Sequence, residues 1–304
     1  MHYEIKAYNY DNFPDFSDQV AGAVEITATG EEVGLEYQPD VTFMTENKTA
    51  LKLQVIKPTI FNRPKQLFPG ILFIQGSHWA TQDIYHNVAK LGRLAQKGYV
   101  IFLMQYRDYE HGFHFPAPII DAKNALRYLT LHPNEFSLDA DNFIVMGDSS
   151  GGQVACMTGM TINTTLFDHP VYQTSIKVKG IIDLYGAVDL TLADGFPTTF
   201  DHQTKTSPEG RFMGFDINDN LEETQKACPK YYAEYAFSPI LIAHGTKDFT
   251  VSCQESVDLY QALKQANKDA ALYLLRGATH GHNAFWSKQM IDVYDQFIKH
   301  CLRS

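Results

Sequence analysis

Between residues 70 and 301, short apolar runs alternate with longer stretches of helical period. GILFIQG (70–76), YVIFLMQYR (99–107), NFIVMGD (142–148), VKGIIDLYG (178–186), PILIAHG (239–245) and ALYLLRG (271–277) are almost continuously apolar, as strands buried on both faces are. Between them, Asp83 to Gln96 predicts a helix closed by Gly98, and Pro118 to Leu131 places Ile119, Ala122, Leu126 and Leu129 at helical spacing. Residues 149–161, 252–266 and 283–301 complete the series. Strands that alternate with helices predict a mostly parallel sheet covered on both sides.

Three regions depart from this rhythm. Val41 to Thr45 and Leu51 to Lys57 alternate apolar with polar, which predicts a half-buried hairpin at a sheet edge, its second strand ended by Pro58. Residues 1–40 are rich in Tyr, Phe and acids without clear periodicity, and read as an N-terminal extension packed on the domain, either a cap over a site or a surface arm. Residues 187–238 separate the fourth and fifth apolar runs with Gly195, Pro197, Pro208, Gly210, Gly214 and Pro229, and offer one short helix around 218–227. A stretch this long reads as a lid or a pocket-forming insertion. No repeat or low-complexity tract intervenes, so residues 1–304 are expected to form a single domain.

Composition narrows the partners. A formal net charge of -10 with no run of Lys or Arg argues against nucleic acid and anionic membrane surfaces. The first residues lack a basic segment followed by an apolar one, and no apolar run approaches the ~18 residues that span a bilayer. Cys156, Cys228, Cys253 and Cys301 show neither paired nor zinc-ligand spacing, which suits a reducing cytoplasm. No metal or organic cofactor is expected. A homodimer is left open.

The candidate chemistry sits where the run 142–148 meets Gly147-Asp148-Ser149-Ser150-Gly151-Gly152. Strand, glycine-flanked turn and helix form the setting in which G-x-S-x-G is a nucleophile elbow, with the serine hydroxyl lifted above the sheet edge. A serine hydroxyl is a weak nucleophile near neutral pH and needs a base, which in turn needs a carboxylate to orient it. In this arrangement the acid and then the base follow the nucleophile in sequence. HGTKD places Asp248 just past the fifth run, and GATHGH places His280 just past the sixth. His282 is a near rival. Gly277 and Gly281 predict a sharp turn that returns the His280 ring toward Ser149, and His282 is expected to open the last helix. The oxyanion requires backbone donors, one from Ser150 and others from the loop 75–79.

Taken together, these motifs resemble the α/β-hydrolase superfamily, and within it esterases related to hormone-sensitive lipase and to bacterial feruloyl and acetyl-xylan esterases. Such proteins tend to carry H-G-G-G-[FW], Y-R, G-D-S-A-G-G, H-G-x-x-D and G-x-x-H-G. The chain has QGSHW (75–79), Tyr106-Arg107, GDSSGG (147–152), HGTKD (244–248) and GATHG (277–281), and the likeness covers about residues 70–300. It implies an α/β-hydrolase fold and a serine carboxylesterase that acts on small to medium acyl esters through an acyl-enzyme. It further implies a triad of Ser149, Asp248 and His280, oxyanion donors at Ser77, His78 and Ser150, and Trp79 against the substrate. Ser and His replace two glycines of the oxyanion loop, where glycine permits backbone shapes that other residues resist. SPEGRFMG (207–214) is similar to the lid segment of the acetyl-xylan type. An aminopeptidase or amidase with the same triad, and a catalytically silent binding fold, are the alternatives. With no extended apolar stretch for a lipid lid, acetate to butyrate esters are the expected substrates.

Overall fold

The computed structural model describes residues 6–46, 49–191, 198 and 200–303. The six apolar runs become β3 (Phe68–Ile74), β4 (Val100–Met104), β5 (Leu138–Asp148), β6 (Val178–Leu184), β7 (Ile240–Gly245) and β8 (Ala270–Leu275). The alternating segments ahead of them form β1 (Val33–Glu46) and β2 (Thr49–Ile60). All eight make one sheet in the order β1-β2-β4-β3-β5-β6-β7-β8. β2 pairs antiparallel with β1 on one side and with β4 on the other, and every other pairing is parallel. The result is the expected mostly parallel sheet with an edge hairpin.

The helices α1 (Val88–Ala95), α2 (Ala117–Leu131), α3 (Ser150–Thr161), α4 (Pro208–Met213), α5 (Leu221–Gln225), α6 (Cys253–Gln265) and α7 (Lys288–Cys301) cover the sheet. Alternation along β3 shows why both faces must be apolar. Ile71 and Phe73 join Leu91 of α1 and Tyr294 of α7, while Leu72 and Ile74 join Leu126 of α2 and Val154 of α3. Because strands β3 to β8 are parallel, the loops leaving them gather at one carboxyl edge, where α/β sheets place their ligands.

Several expectations need correction. Pro58 does not end β2: it pairs with Leu35 inside the strand. β4 pairs only with residues 53–56, so beyond Ile56 the strand has a neighbour on one side alone, where proline is tolerated. The hairpin also reaches back to Val33, within the stretch read as extension. Residues 6–29 are exposed, with neither helix nor strand, and the segment is anchored where Arg63 pairs with Glu31 and the Asn62 N–H donates to Gly30 O. It is a surface arm. Helix α1 is shorter than the expected 83–96: residues 84–87 form turns, and the Asn87 side chain ahead of the helix donates to Gln75 Oε1. The 187–238 excursion is more helical than expected: α4, α5 and 3₁₀ turns at Ile217–Asp219 and Pro229–Tyr235 fill its described part. Its residues 192–197 and 199, with Gly195 and Pro197, lie outside the described residues. Among the described residues, no helix is long and apolar enough to cross a membrane.

Candidate active site

Ser149 stands between the end of β5 and the first residue of α3, with φ 53 and ψ -127. A non-glycine residue in that region costs roughly 1–3 kcal/mol and persists only where surrounding packing over-determines it. The packing here does so. A Cβ on Gly147 would lie 2.1 Å from Gly151 O, and one on Gly151 would lie 2.0 Å from Ile74 O. Strands β3 and β5 and helix α3 therefore touch backbone to backbone, and no other residue type fits either position. The Ser149 N–H is fixed by Leu184 O of β6 at 2.9 Å.

The loops after β7 and β8 bring two side chains to this hydroxyl. His280 Nε2 lies 2.9 Å from Ser149 Oγ, and His280 Nδ1 lies 2.7 Å from Asp248 Oδ2. Gly277 at φ 80 and Gly281 at φ 64 turn the chain on either side of the histidine. Asp248 is buried, and its Oδ1 accepts the Thr250 and Val251 N–H groups at 2.9 and 3.0 Å. Burial alone would raise its pKa. Hydrogen bonds from His244 and His280 outweigh that and hold the carboxyl well below the ordinary aspartate range. His244 is thus a second support for Asp248: its Nε2 is 3.3 Å from Asp248 Oδ2 and its Nδ1 2.7 Å from Ser256 Oγ. The rival His282 is exposed and faces away from this task. Its Nδ1 accepts the Ala284 N–H at 3.0 Å and caps the 3₁₀ turn Asn283–Trp286 that precedes α7.

The opposite wall is the loop 75–79. The Gly76 N–H donates to Asp148 Oδ1 at 2.7 Å, and a Cβ on Gly76 would meet Asp148 O at 2.5 Å. Ser77 does not offer its N–H to the cavity: that group donates to Ser150 Oγ at 2.9 Å, and the Trp79 N–H donates to the same oxygen at 3.2 Å. The Ser77 hydroxyl donates to Ala80 O at 2.6 Å and lies 2.9 Å from the hydroxyl of buried Tyr106. With those groups engaged, the N–H groups of His78 and Ser150 have no hydrogen-bond partner among the described residues. His78 and Trp79 both have φ 56, the left-handed shape that the missing glycines would adopt at less cost. The serine at 150 supplies the acceptor that holds this shape.

Trp79 is not a substrate contact. It is 1% exposed, donates Nε1–H to Gln153 Oε1 at 3.0 Å, and stacks on Phe212 of α4 at 4.6 Å. The excursion therefore braces the loop 75–79 through Trp79. His202 of the excursion contacts Glu209 at 2.9 Å, and the Glu209 charge acts on His78, whose pKa burial nonetheless lowers. Beneath the elbow, Asp183 of β6 is fully buried, and neither carboxyl oxygen makes a hydrogen bond among the described residues. Burial pushes its pKa up to about 7, and a weak interaction with the Gly186 backbone offsets little of that.

A cavity of about 240 Å³ opens at Ser149, bounded by residues 75–78, by His280 and Gly281, by Tyr185, and by His86, Asn87 and Lys90 from the start of α1. Sequence reasoning missed Tyr185, whose ring meets His280 at 4.9 Å and whose hydroxyl donates to Asp148 Oδ2 at 3.2 Å. Its signal was the Tyr-Gly pair that ends the fourth apolar run. His86, Asn87 and Lys90 gave no signal, since nothing in a helical pattern says which turn faces a neighbouring loop.

Residues 56–263 match the family model BD-FAE. Among related sequences, the esterase LipC of Mycobacterium tuberculosis is 25% identical, with 72% of this chain and 54% of that protein aligned. The isoprenylcysteine alpha-carbonyl methylesterase ICME of Arabidopsis thaliana is 23% identical over 70% of this chain and 50% of its own length. The chain spans about half the length of these relatives. Among solved structures, a truncated carbohydrate esterase from gut microbiota superposes with a TM-score of 0.78 at 21% identity, covering 88% of this chain and 97% of that one. Apo esterase 2 of Thermogutta terrifontis gives 0.70 at 20% identity, covering 88% and 94%. At these identities the structural likeness speaks for the fold.

Proposed function

Because this chain belongs to the BD-FAE family of α/β-hydrolase esterases, we propose that it is a serine carboxylesterase that hydrolyses small to medium acyl esters through an acyl-enzyme. The observation that carries this reading is the continuous hydrogen-bonded line from Ser149 Oγ through His280 to Asp248 Oδ2, at 2.9 and 2.7 Å. Ser149 Oγ attacks the ester carbonyl while His280 Nε2 takes its proton. Asp248 holds the ring in the tautomer with Nε2 free and stabilises the imidazolium that forms. The carbonyl oxygen gains negative charge and points at the N–H groups of Ser150 and His78, each donor contributing about 3 kcal/mol of barrier lowering. The alcohol leaves with the proton from His280, and a water attacks the acyl-enzyme by the same route to release the acid.

Four thiols, none in a disulfide, suit a reducing compartment, and on that ground we place the enzyme in the cytoplasm as one α/β-hydrolase domain acting on a small-molecule ester. A fluorophosphonate probe tests the covalent step: it should label the protein once, at Ser149, and labelling that survives Ser149→Ala sinks the reading. Initial rates on 4-nitrophenyl esters from acetate to palmitate, with aryl amides alongside, test the substrate class. The maximum should fall between acetate and butyrate, and a maximum at palmitate or on the amides would replace this assignment.

A further inference from the structure

Ligand pockets are lined mostly by apolar and aromatic side chains with a few polar groups. The cavity at Ser149 is lined mainly by residues with polar groups: Tyr185 and histidine rings are its large carbon surfaces, and no Leu, Ile, Val, Met or Phe borders it among the described residues. Its far side is Lys90, half-buried, with no ion pair or hydrogen bond to any other described residue. Lys90 also occupies the first turn of α1, the helix end where a cation is disfavoured, and no acidic residue shares that turn. Asp148 also borders the cavity and its charge interacts with that of Lys90, but the two form no ion pair. Asp148 Oδ1 takes the Gly76 N–H and its Oδ2 takes the Tyr185 O–H, while Asp248 lies behind the His280 ring and is bound to it. In a chain of net charge -10, Lys90 is the one lysine or arginine that borders this cavity among the described residues.

We propose that the ester taken by this site carries a carboxylate on a short chain near the scissile carbonyl, and that Lys90 selects it. This rests on the esterase reading above. A carboxylate within reach of the Lys90 ammonium replaces water on both ions, while the Asp148 oxygens stay bound to the Gly76 N–H and the Tyr185 hydroxyl. An aliphatic chain of the same length would instead lie against Gln75, Asn87 and His86, whose polar groups it cannot satisfy. The hydrolysis is unchanged by this preference: one water is consumed, acid and alcohol are released, and the distal carboxylate passes through unreacted. Since the protein as a whole repels anions, the preference is local in origin and weakens with salt.

The experiment measures kcat/KM for two matched pairs at low ionic strength. For the acyl side, 4-nitrophenyl hemiglutarate is compared with 4-nitrophenyl pentanoate; for the alcohol side, 4-acetoxybenzoate is compared with its methyl ester. In the wild type the anionic member of at least one pair should be preferred tenfold or more, and 0.5 M salt should shrink that ratio. Lys90→Met should bring the ratio to near unity and Lys90→Glu should invert it. Lys264→Gln, an exposed lysine on α6, should leave it as in wild type. Thermal melts confirm that each variant is folded. Neutral members preferred in both pairs, or a ratio that survives Lys90→Met, overturns the inference while the esterase reading stands. No turnover of any of the four esters, with no fluorophosphonate label at Ser149, overturns both.

Discussion

The two walls of the cavity are built by different means. On the wall that holds Asp248 and His280, the proposed chemistry resides in side chains, and the loops after β7 and β8 need only deliver them. On the wall formed by residues 75–79, the proposed oxyanion donor is a backbone group, and the side chains serve as braces. Ser150 Oγ accepts two loop N–H groups, Ser77 is tied to Ala80 and Tyr106, and Trp79 is wedged between Gln153 and Phe212. The first wall is specified by residue identity and can be read as a motif. The second is specified by shape, and several sequences can reach the same shape. A glycine-rich loop does so by having no side chains, and this chain does so with left-handed His78 and Trp79 held by a serine.

Substitutions can separate the two walls by the size of their effect. Ser149→Ala or His280→Ala should lower turnover by several powers of ten, as loss of a member of a catalytic unit does. Asp248→Asn should cost about 10⁴ in kcat, because the amide strands the imidazole in the wrong tautomer. Steady-state rates check both, and a mild Asp248→Asn would move the acid's role elsewhere. Next in size is Ser150→Ala, which removes a hydroxyl while keeping the backbone N–H at 150. It leaves the Ser77 and Trp79 N–H groups unpaired, and kcat should fall about 10- to 100-fold with KM little changed. Wild-type kcat in Ser150→Ala would mean that the loop holds its own shape and the contrast between the walls is false. His282→Ala should cost less than about tenfold, since its ring caps a turn and touches no reacting atom.

A last substitution concerns the support beneath both walls and should act on stability more than on rate. Asp183 has its pKa raised from 3.8 to about 7 in the folded protein, so between those values the native state keeps a proton that the unfolded chain has lost. Stability contributed by that proton is complete below the unfolded value and is lost as pH rises through about 7, at about 1.4 kcal/mol per pH unit within the window. Asp183→Asn should therefore melt higher than wild type at pH 8 and show no such advantage at pH 4. Asp248 has the opposite sign. Its folded pKa is depressed, so its contribution is present above the unfolded aspartate value and disappears as pH falls through the folded one. An unchanged difference in melting temperature from pH 4 to 8 in Asp183→Asn would show that Asp183 does not titrate in that range.

What the sequence disclosed follows the same division. Strands β3 to β7 were legible because burial on both faces keeps their runs almost continuously apolar, and β8 because its run is apolar even though it is a partly exposed edge; Ser149, Asp248 and His280 were legible because each follows such a strand in the required order. Trp79 was misread as a substrate contact because its partners, Gln153 and Phe212, stand 74 and 133 positions further along the chain. Ser77 was misread as a donor to the cavity because the acceptor that claims its N–H, Ser150, looks from the motif like a small filler beside the nucleophile. The second support of Asp248 by His244, and the ammonium of Lys90, depend on which way a helix turn or strand end faces. That is settled by packing between distant segments.

The distances between partners along the chain also bear on how the protein comes to life. Gly76 meets Asp148 across 72 residues, Asp248 meets His280 across 32, but Ser149 meets His280 across 131. Closing a loop costs about 0.6 kcal/mol more for each doubling of its length, so the link from nucleophile to base carries the largest entropic penalty of the three. The elbow and its strained serine can be complete while the base is still a free segment of chain. During refolding from denaturant, recovery of far-ultraviolet circular dichroism should run ahead of recovery of esterase rate, and the interval between the two curves is the time the chain needs to bring β8 home.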